Sequence, residues 1–410
     1  MMKKSVALLG LLVMVSIAAV AQVEPAATGP ARSTGTFSYS LHDTESVWWG
    51  FGTEESNSTS GSLQYANGRS RRPFSMSYSG GYTFTNGGGD YGKGYFQNLA
   101  VSQGFGGRTW RLNFNDDISY RPQSPTVGFS GIPGTGEPIS SPPSTGTPVE
   151  TVLTQDTHTI NNSTHATFSL PINGWATSVF ANGGYMILRF PDGNGIDTTS
   201  ISAAAGASQR IDSRTSVSGE FQESKYSYSG TDVAFRTTAV VGTISHTWNK
   251  GFSANASVGP LWIASEGLGN TLPSSTHLSL AANLTYHRRR DSLSIHYTYG
   301  DNEGGGYFYG AQISTVGATY TRTLQNKMSF SARIGYQETS GLQAGSGSTR
   351  GTFASATTSR RLGRLFSIMG SYYATEQSAS SNLPTNVLNG LLQGVSVSIS
   401  YAPRGIHLEQ

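Results

Sequence analysis

The feature that most constrains this chain is a two-residue period held over long runs. Met328, Phe330, Ala332, Ile334 and Tyr336 alternate with Ser329, Ser331, Arg333, Gly335 and Gln337. Leu278, Leu280, Ala282, Leu284 and Tyr286 alternate with His277, Ser279, Ala281, Asn283 and Thr285. Leu293, Ile295, Tyr297 and Tyr299 alternate with Ser294, His296 and Thr298. Successive side chains of a strand point to opposite faces, so each run has one apolar and one polar face. A soluble sandwich shows the same alternation, but in strands of about 5–6 residues. The runs here extend over about 9–13 residues, the length a tilted strand needs to cross a bilayer. Their apolar faces often end in aromatics: Trp110 and Tyr120, Phe252 and Trp262, Tyr286, Tyr320, Tyr336. Such rings favour the headgroup level, where one end is dry and the other wet.

The connections alternate as well. One set is short and often basic, as in GRSRRP (68–73), Asn249-Lys250-Gly251, Arg288 to Asp291, Gln325-Asn326-Lys327 and Arg361 to Arg364. The other is longer and rich in Gly, Ser and Pro: 46–57, 86–94, 121–155, 226–233, 264–275, 338–350 and 376–390, with shorter ones at 191–195 and 300–306. Short turns on one side and long loops on the other are the pattern of a transmembrane barrel. The fold class expected is all-β: an antiparallel up-and-down transmembrane β-barrel of about 18 strands, with 16 as the alternative. An even count puts both termini on the side of the short turns. The first strand (about 35–45) and the region 213–248 alternate less cleanly. In 307–320 the apolar phase runs through Tyr307, Tyr309, Ala311 and Ile313, then shifts to Val316, Ala318 and Tyr320. Such a shift suggests a bulge. Asp116 falls in the lipid-facing phase of Leu112, Phe114 and Ile118. A bulge at Asp116-Asp117 that turns it inward is favoured over a position above the apolar band.

Residues 1–21 read as a signal peptide: Lys3-Lys4, an apolar run from about Val6 to Val20, and the small-residue signal Ala19-Val20-Ala21. Residues 22–34 read as a flexible periplasmic leader, 35–401 as the barrel and 402–410 as a C-terminal tail. Removing the first 21 residues takes away Lys3 and Lys4 and leaves 25 basic against 24 acidic residues, so net charge points to no acidic partner. Only 12% of residues are charged, about half the usual share, and Ser, Thr, Gly, Asn and Gln take their place. Disordered chains share that polarity but are poor in aromatics, whereas this one carries 11%. There is no cysteine, hence no disulfide and no thiolate metal site.

No enzyme motif emerges. None of the eight histidines sits in a nucleophile elbow, an H-E-x-x-H or a triad spacing, and no cofactor is expected. His277, His287 and His296 share the inward phase of adjacent strands. Three imidazoles together would suit a metal or a phosphate, but polar lumen lining explains them more simply. Arg111, Asp117 and Arg333 fall in the same phase and complete the expected pore-lining set. His158 and His165 are read the same way. Loop 121–155 is the other singular feature, about 35 residues rich in Pro and Gly. In porins such a loop often folds into the lumen, and by that resemblance Phe129, Ile132 and Glu137 are candidates for a constriction. A mobile external loop is the alternative. The arginine clusters lie in turns, which suits headgroup contact and not nucleic acid.

The last strong alternation, Val395, Val397, Ile399 and Tyr401, resembles the C-terminal strand signal of barrel proteins, although Ala402 to Gln410 follow it. The mature chain resembles uncharacterised outer-membrane β-barrels of Gram-negative soil bacteria, acidobacterial ones in particular. The segments that carry the likeness are FSMSYSGGYTFT (74–85), residues 95–138 and ILRFPDGNGIDT (187–198). Some barrels of that kind are associated with exopolysaccharide export. The expected partners are outer-membrane lipid, the insertion machinery that reads the C-terminal strand, and small polar solutes, with a homo-oligomer left open. Since 16–18 strands leave a water-filled lumen, a porin-like passive channel for small polar solutes or saccharides is expected. The alternative is a structural or export-associated barrel with no open pore.

Overall fold

The computed structural model describes residues 33–50, 53–67, 71–86, 94–123, 157–172, 176–249, 251–266, 274–324, 327–385 and 387–409. The signal-peptide segment 1–21 and most of the leader lie outside them, as do Phe129, Ile132 and Glu137. Eighteen long strands follow one another along the chain. They are β1 (Ser33–Trp49), β2 (Thr53–Asn67), β3 (Phe74–Asn86), β4 (Gly94–Gly106), β5 (Arg111–Gln123) and β6 (Thr157–Ile172). Next come β7 (Thr177–Arg189), β8 (Thr198–Arg210), β9 (Thr215–Tyr228), β10 (Ala234–Asn249), β11 (Phe252–Glu266) and β12 (Ser275–Arg288). The last six are β13 (Asp291–Asn302), β14 (Ala311–Thr323), β15 (Met328–Gly341), β16 (Ser348–Leu362), β17 (Phe366–Ala379) and β18 (Gly390–Tyr401). Each pairs antiparallel with its neighbours in sequence, and β1 also pairs with β18, from Leu41↔Tyr401 to Trp49↔Gln393. The sheet therefore closes. In hydrocarbon an unpaired N–H or C=O has no water to turn to, so a spanning sheet must have no edge.

A nineteenth strand, β19 (Ile406–Glu409), lies within the segment read as a tail. It pairs antiparallel with β1 between Ser33 and Phe37, below the point where β18 ends. Ser33 and Thr34, assigned by sequence to the leader, already belong to β1.

The two faces separate as the alternation demands. Val258, Ile334 and Ile399 are 52%, 63% and 52% exposed on the outer face, values that only lipid or another protein would relieve. The strands run longer than the alternation suggests. Residues 46–57, read as a loop, are mostly the upper ends of β1 and β2, whose register runs unbroken from Thr36↔Ala66 to Trp49↔Thr53. Above the apolar band a ladder needs no apolar face, so pairing outlasts the hydropathy pattern.

Both predicted bulges are absent. β5 keeps register with β4 (Val101↔Asp116, Ala100↔Asp117) and with β6 (Asp116↔Thr164, Asp117↔Ser163) without a shift. Asp116 faces outward, and it is accommodated by hydrogen bonds: Thr164 Oγ1 and Asn162 Nδ2 donate to its Oδ1 at 2.6 and 3.1 Å. β14 likewise keeps register on both sides. What changes between Ile313 and Val316 is the apolar side. Ala311 and Ile313 point inward and are fully buried, while Val316 points outward and is 42% exposed.

Replacing Val258 by Lys on the outer face should cost about 2–4 kcal/mol if it lies near the midplane, whereas Ser257→Lys on the inner face should cost under about 1. Equilibrium unfolding from lipid vesicles measures both.

Candidate functional site

Below its outer end the inner wall is rich in small uncharged polar residues. Across neighbouring strands their hydroxyls pair directly: Ser40 with Ser62 at 2.7 Å, Ser46 with Ser56 at 2.8 Å, Ser178 with Ser208 at 2.7 Å and Ser329 with Ser359 at 2.6 Å. Ser367 and Ser400 pair likewise. A hydroxyl both donates and accepts, so each pair satisfies itself in part and keeps capacity for water or solute without any fixed charge.

Inward rings are folded against the wall by a recurrent device. Phe96 stands opposite Gly81, His165 opposite Gly184, Phe180 opposite Gly206, His296 opposite Gly317, Phe353 opposite Gly335 and Tyr373 opposite Gly394. In each pair a Cβ on the glycine would collide with the ring across the ladder, at 2.1–3.0 Å. The missing side chain is the space in which the ring lies.

The inward histidines do not gather. His277 is near the upper end of β12, His287 at its lower end and His296 midway along β13, opposite Asn283. At about 3.3 Å per residue they are separated by some 13–33 Å along the strands. Among the described residues, no three His, Cys, Asp or Glu side chains come together as a metal site. His277 Nδ1 lies 3.1 Å from Oδ2 of Asp301, whose side chain is fully buried. Arg333 of β15 lies within electrostatic reach of His296, and Asp117 accepts from Asn98 and faces the field of Arg121. Arg121 was not singled out by sequence, although it continues the inward phase of Arg111 and Asp117. Arg111 sits at the lower end of β5, exposed on the inner face. His165 lies on the inner face, but His158 does not. His158 occupies the outer phase at the top of β6, donates from Nδ1 to Asp192 Oδ2 at 2.6 Å and stacks on Tyr120.

The wall changes character with height. Asn113, Asn115 and His165 are exposed on the inner face, in its lower and middle parts. Towards the long-loop end the inner face is buried and turns apolar: Tyr226, Tyr228, Phe235, Leu261 and Ile263 form one cluster, joined by Ile196, Tyr309 and Leu342 from loops. Phe190, Tyr307, Phe308, Ala311, Ile313 and Val387 form a second. Loop 303–310 joins the two. Its Gly306 carbonyl accepts from Ile196 N at 2.7 Å, its Gly310 carbonyl from Leu342 N at 3.0 Å, and its Glu303 carbonyl from Tyr228 Oη at 2.8 Å. Tyr307 packs edge-on against Phe190 and Tyr309 edge-on against Tyr228. Gly304, Gly305, Gly306 and Gly310 all have positive φ, between 54° and 90°, which lets so short a loop double back inside the mouth. The segment of interest at the outer end is therefore 303–310. The signal that could have found it is the run of rings and glycines in GGGYFYG, with the inverted alternation in 226–238, where the inward phase carries Tyr226, Tyr228 and Phe235 and the outward phase Ser227, Arg236 and Thr238.

Glu303 begins this loop. Burial pushes its carboxyl above the ordinary carboxylate range. An acid whose pKa is raised in the packed loop stabilises that packing most when protonated. The stabilisation is present at low pH and is lost as pH rises through the packed-state value.

No family model matches the chain, and no curated protein sequence does. Among solved structures, Pseudomonas aeruginosa OccK2 (OpdF) aligns over 93% of this chain and 100% of its own, with a TM-score of 0.51 at 11% identity. The BenF-like porin of Pseudomonas fluorescens Pf-5 aligns over 91% and 99%, with a TM-score of 0.51 at 10% identity. The chain thus has the fold of Gram-negative outer-membrane porins, a closed barrel of eighteen antiparallel strands with an apolar outer face. Such a barrel belongs to the outer membrane.

Because protonation of Glu303 favours the inward-packed loop, any conductance of the barrel should fall on acidification, and Glu303→Gln should flatten that pH profile. Conductance recorded between neutral and acid pH in planar bilayers measures both.

Proposed function

We propose that the protein is a channel for passive diffusion of small polar solutes, uncharged saccharides among them. The observation that carries this is the inner wall, a closed surface of paired hydroxyls and amides exposed in its lower part. Hydroxyl groups exchange hydrogen bonds with a polyol as readily as with water, so a solute rich in hydroxyls would lose little on leaving bulk solvent. The inward charges Arg111, Asp117, Arg333 and the histidines His277, His287 and His296 are spread over the height of the wall. They would bias ion flow without forming a binding site. Passage at the outer end would be set by loop 303–310 and its aromatic contacts. The sequence candidates Phe129, Ile132 and Glu137 belong to a loop that could add to that constriction. The likeness to a P. aeruginosa OccK2 (OpdF) structure in complex with glucuronate supports the choice of a channel.

The apolar packing at the mouth favours a second reading, a structural or export-associated barrel whose lumen stays shut. The resemblance to barrels linked with exopolysaccharide export points the same way. Single-channel recording separates the two. The channel reading expects steps of stable conductance from folded protein, and larger ones when Tyr307 and Phe308 are both replaced by Ser. Silence from both proteins, folded and inserted, would leave only the structural reading.

A further inference from the structure

Four strands carry aromatics ten residues apart on the outer face: Tyr39 and Trp49 on β1, Phe74 and Phe84 on β3, Trp110 and Tyr120 at β5, Phe252 and Trp262 on β11. At the rise of a strand tilted about 45°, ten residues climb roughly 24 Å, the height of the lipid-facing band. Between the rings of β11 the outward residues are Ala254, Ala256, Val258 and Pro260, all apolar. Between those of β1 they include Asp43 and Glu45, and between those of β5, Asp116. These three carboxylates therefore sit midway up the band.

They are not isolated. Asp43 Oδ1 accepts from Thr59 Oγ1 at 3.0 Å, and Asp116 accepts from Thr164 and Asn162. Asn57 stands opposite Glu45, and the outward Gln97 of β4 is exposed. At this height the outward carboxylates and their amide partners lie on β1, β2, β5 and β6, on either side of the apolar outward faces of β3 and β4. The outward charges of β9 and β10, Glu223, Lys225 and Arg236, stand instead at or above the level of Trp262. The outward faces of β11 to β13 hold only apolar residues at the same height, such as Leu280, Leu284 and Ile295. Hydrocarbon offers a carboxylate or an amide no partner, so a sector with this many is fitted to protein and not to lipid.

We infer that the outer wall of β1–β6 is an interface with a second copy of this chain. Two properties of the sector favour a like partner. It supplies acceptors (Asp43, Glu45, Asp116) and amide donors (Asn57, Gln97, Asn162) together, as a surface that meets itself must. Its size also suits: five strand spacings by the height of the band give roughly 600 Å², close to the ~800 Å² per partner of a standard specific interface.

The chain has no cysteine, so an introduced thiol is the only one present. Asn57→Cys on β2, Ala166→Cys on β6 and the control Val258→Cys on the opposite wall are each labelled with a benzophenone maleimide in isolated outer membranes and irradiated. A product of two copies of the chain is expected from the first two, at least tenfold above the control. Adducts only with lipid, with a different protein or within one chain overturn the inference, as does an equal yield at all three sites. Independently, native mass spectrometry from lipid nanodiscs should show an oligomer. The triple variant Asp43→Leu, Glu45→Leu, Asp116→Leu suits lipid better and leaves the facing donors unpaired. Its monomer fraction should rise at least tenfold, with the barrel still folded by its heat-shifted gel mobility. A native chain found as monomer, or a folded triple variant as oligomeric as the native, overturns the inference.

Discussion

A peptide group in hydrocarbon must find its hydrogen-bond partner within the protein. Everything else in this structure follows from meeting that requirement with strands. The ladder has to run round and close on itself, which it does where β1 meets β18. Closure gives every strand one face towards lipid and one towards the interior, and this imposes the period of two. It also decides composition. An interior too wide to fill with side chains has to be wetted, and here it is wetted by serine and threonine with few charges. The low charge content and the abundance of small polar residues are two aspects of one wall.

That wall carries rings without surrendering its bore. Placing a glycine directly opposite each of six inward rings lets the ring lie along the sheet. The glycine loses its side chain's packing and gains the ring's, so the pair costs the ladder little. At the outer end the opposite choice is made. There Phe190, Tyr307 and Phe308 pack in one apolar cluster and Tyr226, Tyr228 and Phe235 in another, with loop 303–310 hydrogen-bonded between them. The barrel is thus polar and exposed below, apolar and packed above. Glu303 begins the loop at the top of β13, its carbonyl bound to Tyr228 of the apolar cluster.

The outer wall shows a comparable division, in plan instead of height. Strands β11 to β13 present a clean apolar band, while β1, β2, β5 and β6 carry carboxylates and amides at the same level. Asp116 illustrates how such a residue is tolerated locally, through donors on the adjacent strand. Local hydrogen bonds satisfy part of a carboxylate's capacity, and a neighbouring protein surface would satisfy the remainder.

The strand count, the assignment of faces and the alternation of short turns with long loops were legible in the sequence, because each strand's environment is set by its own alternation and its two sequence neighbours. The inward placement of Arg111, Asp117, His277, His287, His296 and Arg333 follows from the same phase. The alternation could not distinguish an apolar residue facing lipid from one facing an apolar plug. Ile313 and Val316 therefore looked like a bulge when they lie on opposite sides of one regular strand. Nor could it extend strands beyond the band, where the ladder persists after the hydropathy pattern has stopped. The sequence by itself determined that this chain forms a wide transmembrane barrel with a polar interior, since local pairing and the bilayer leave no other solution. Only the tertiary structure decided how the outer mouth is packed, because loop 303–310 takes its partners from β7–β10 and β15–β18, segments whose meeting no local pattern records.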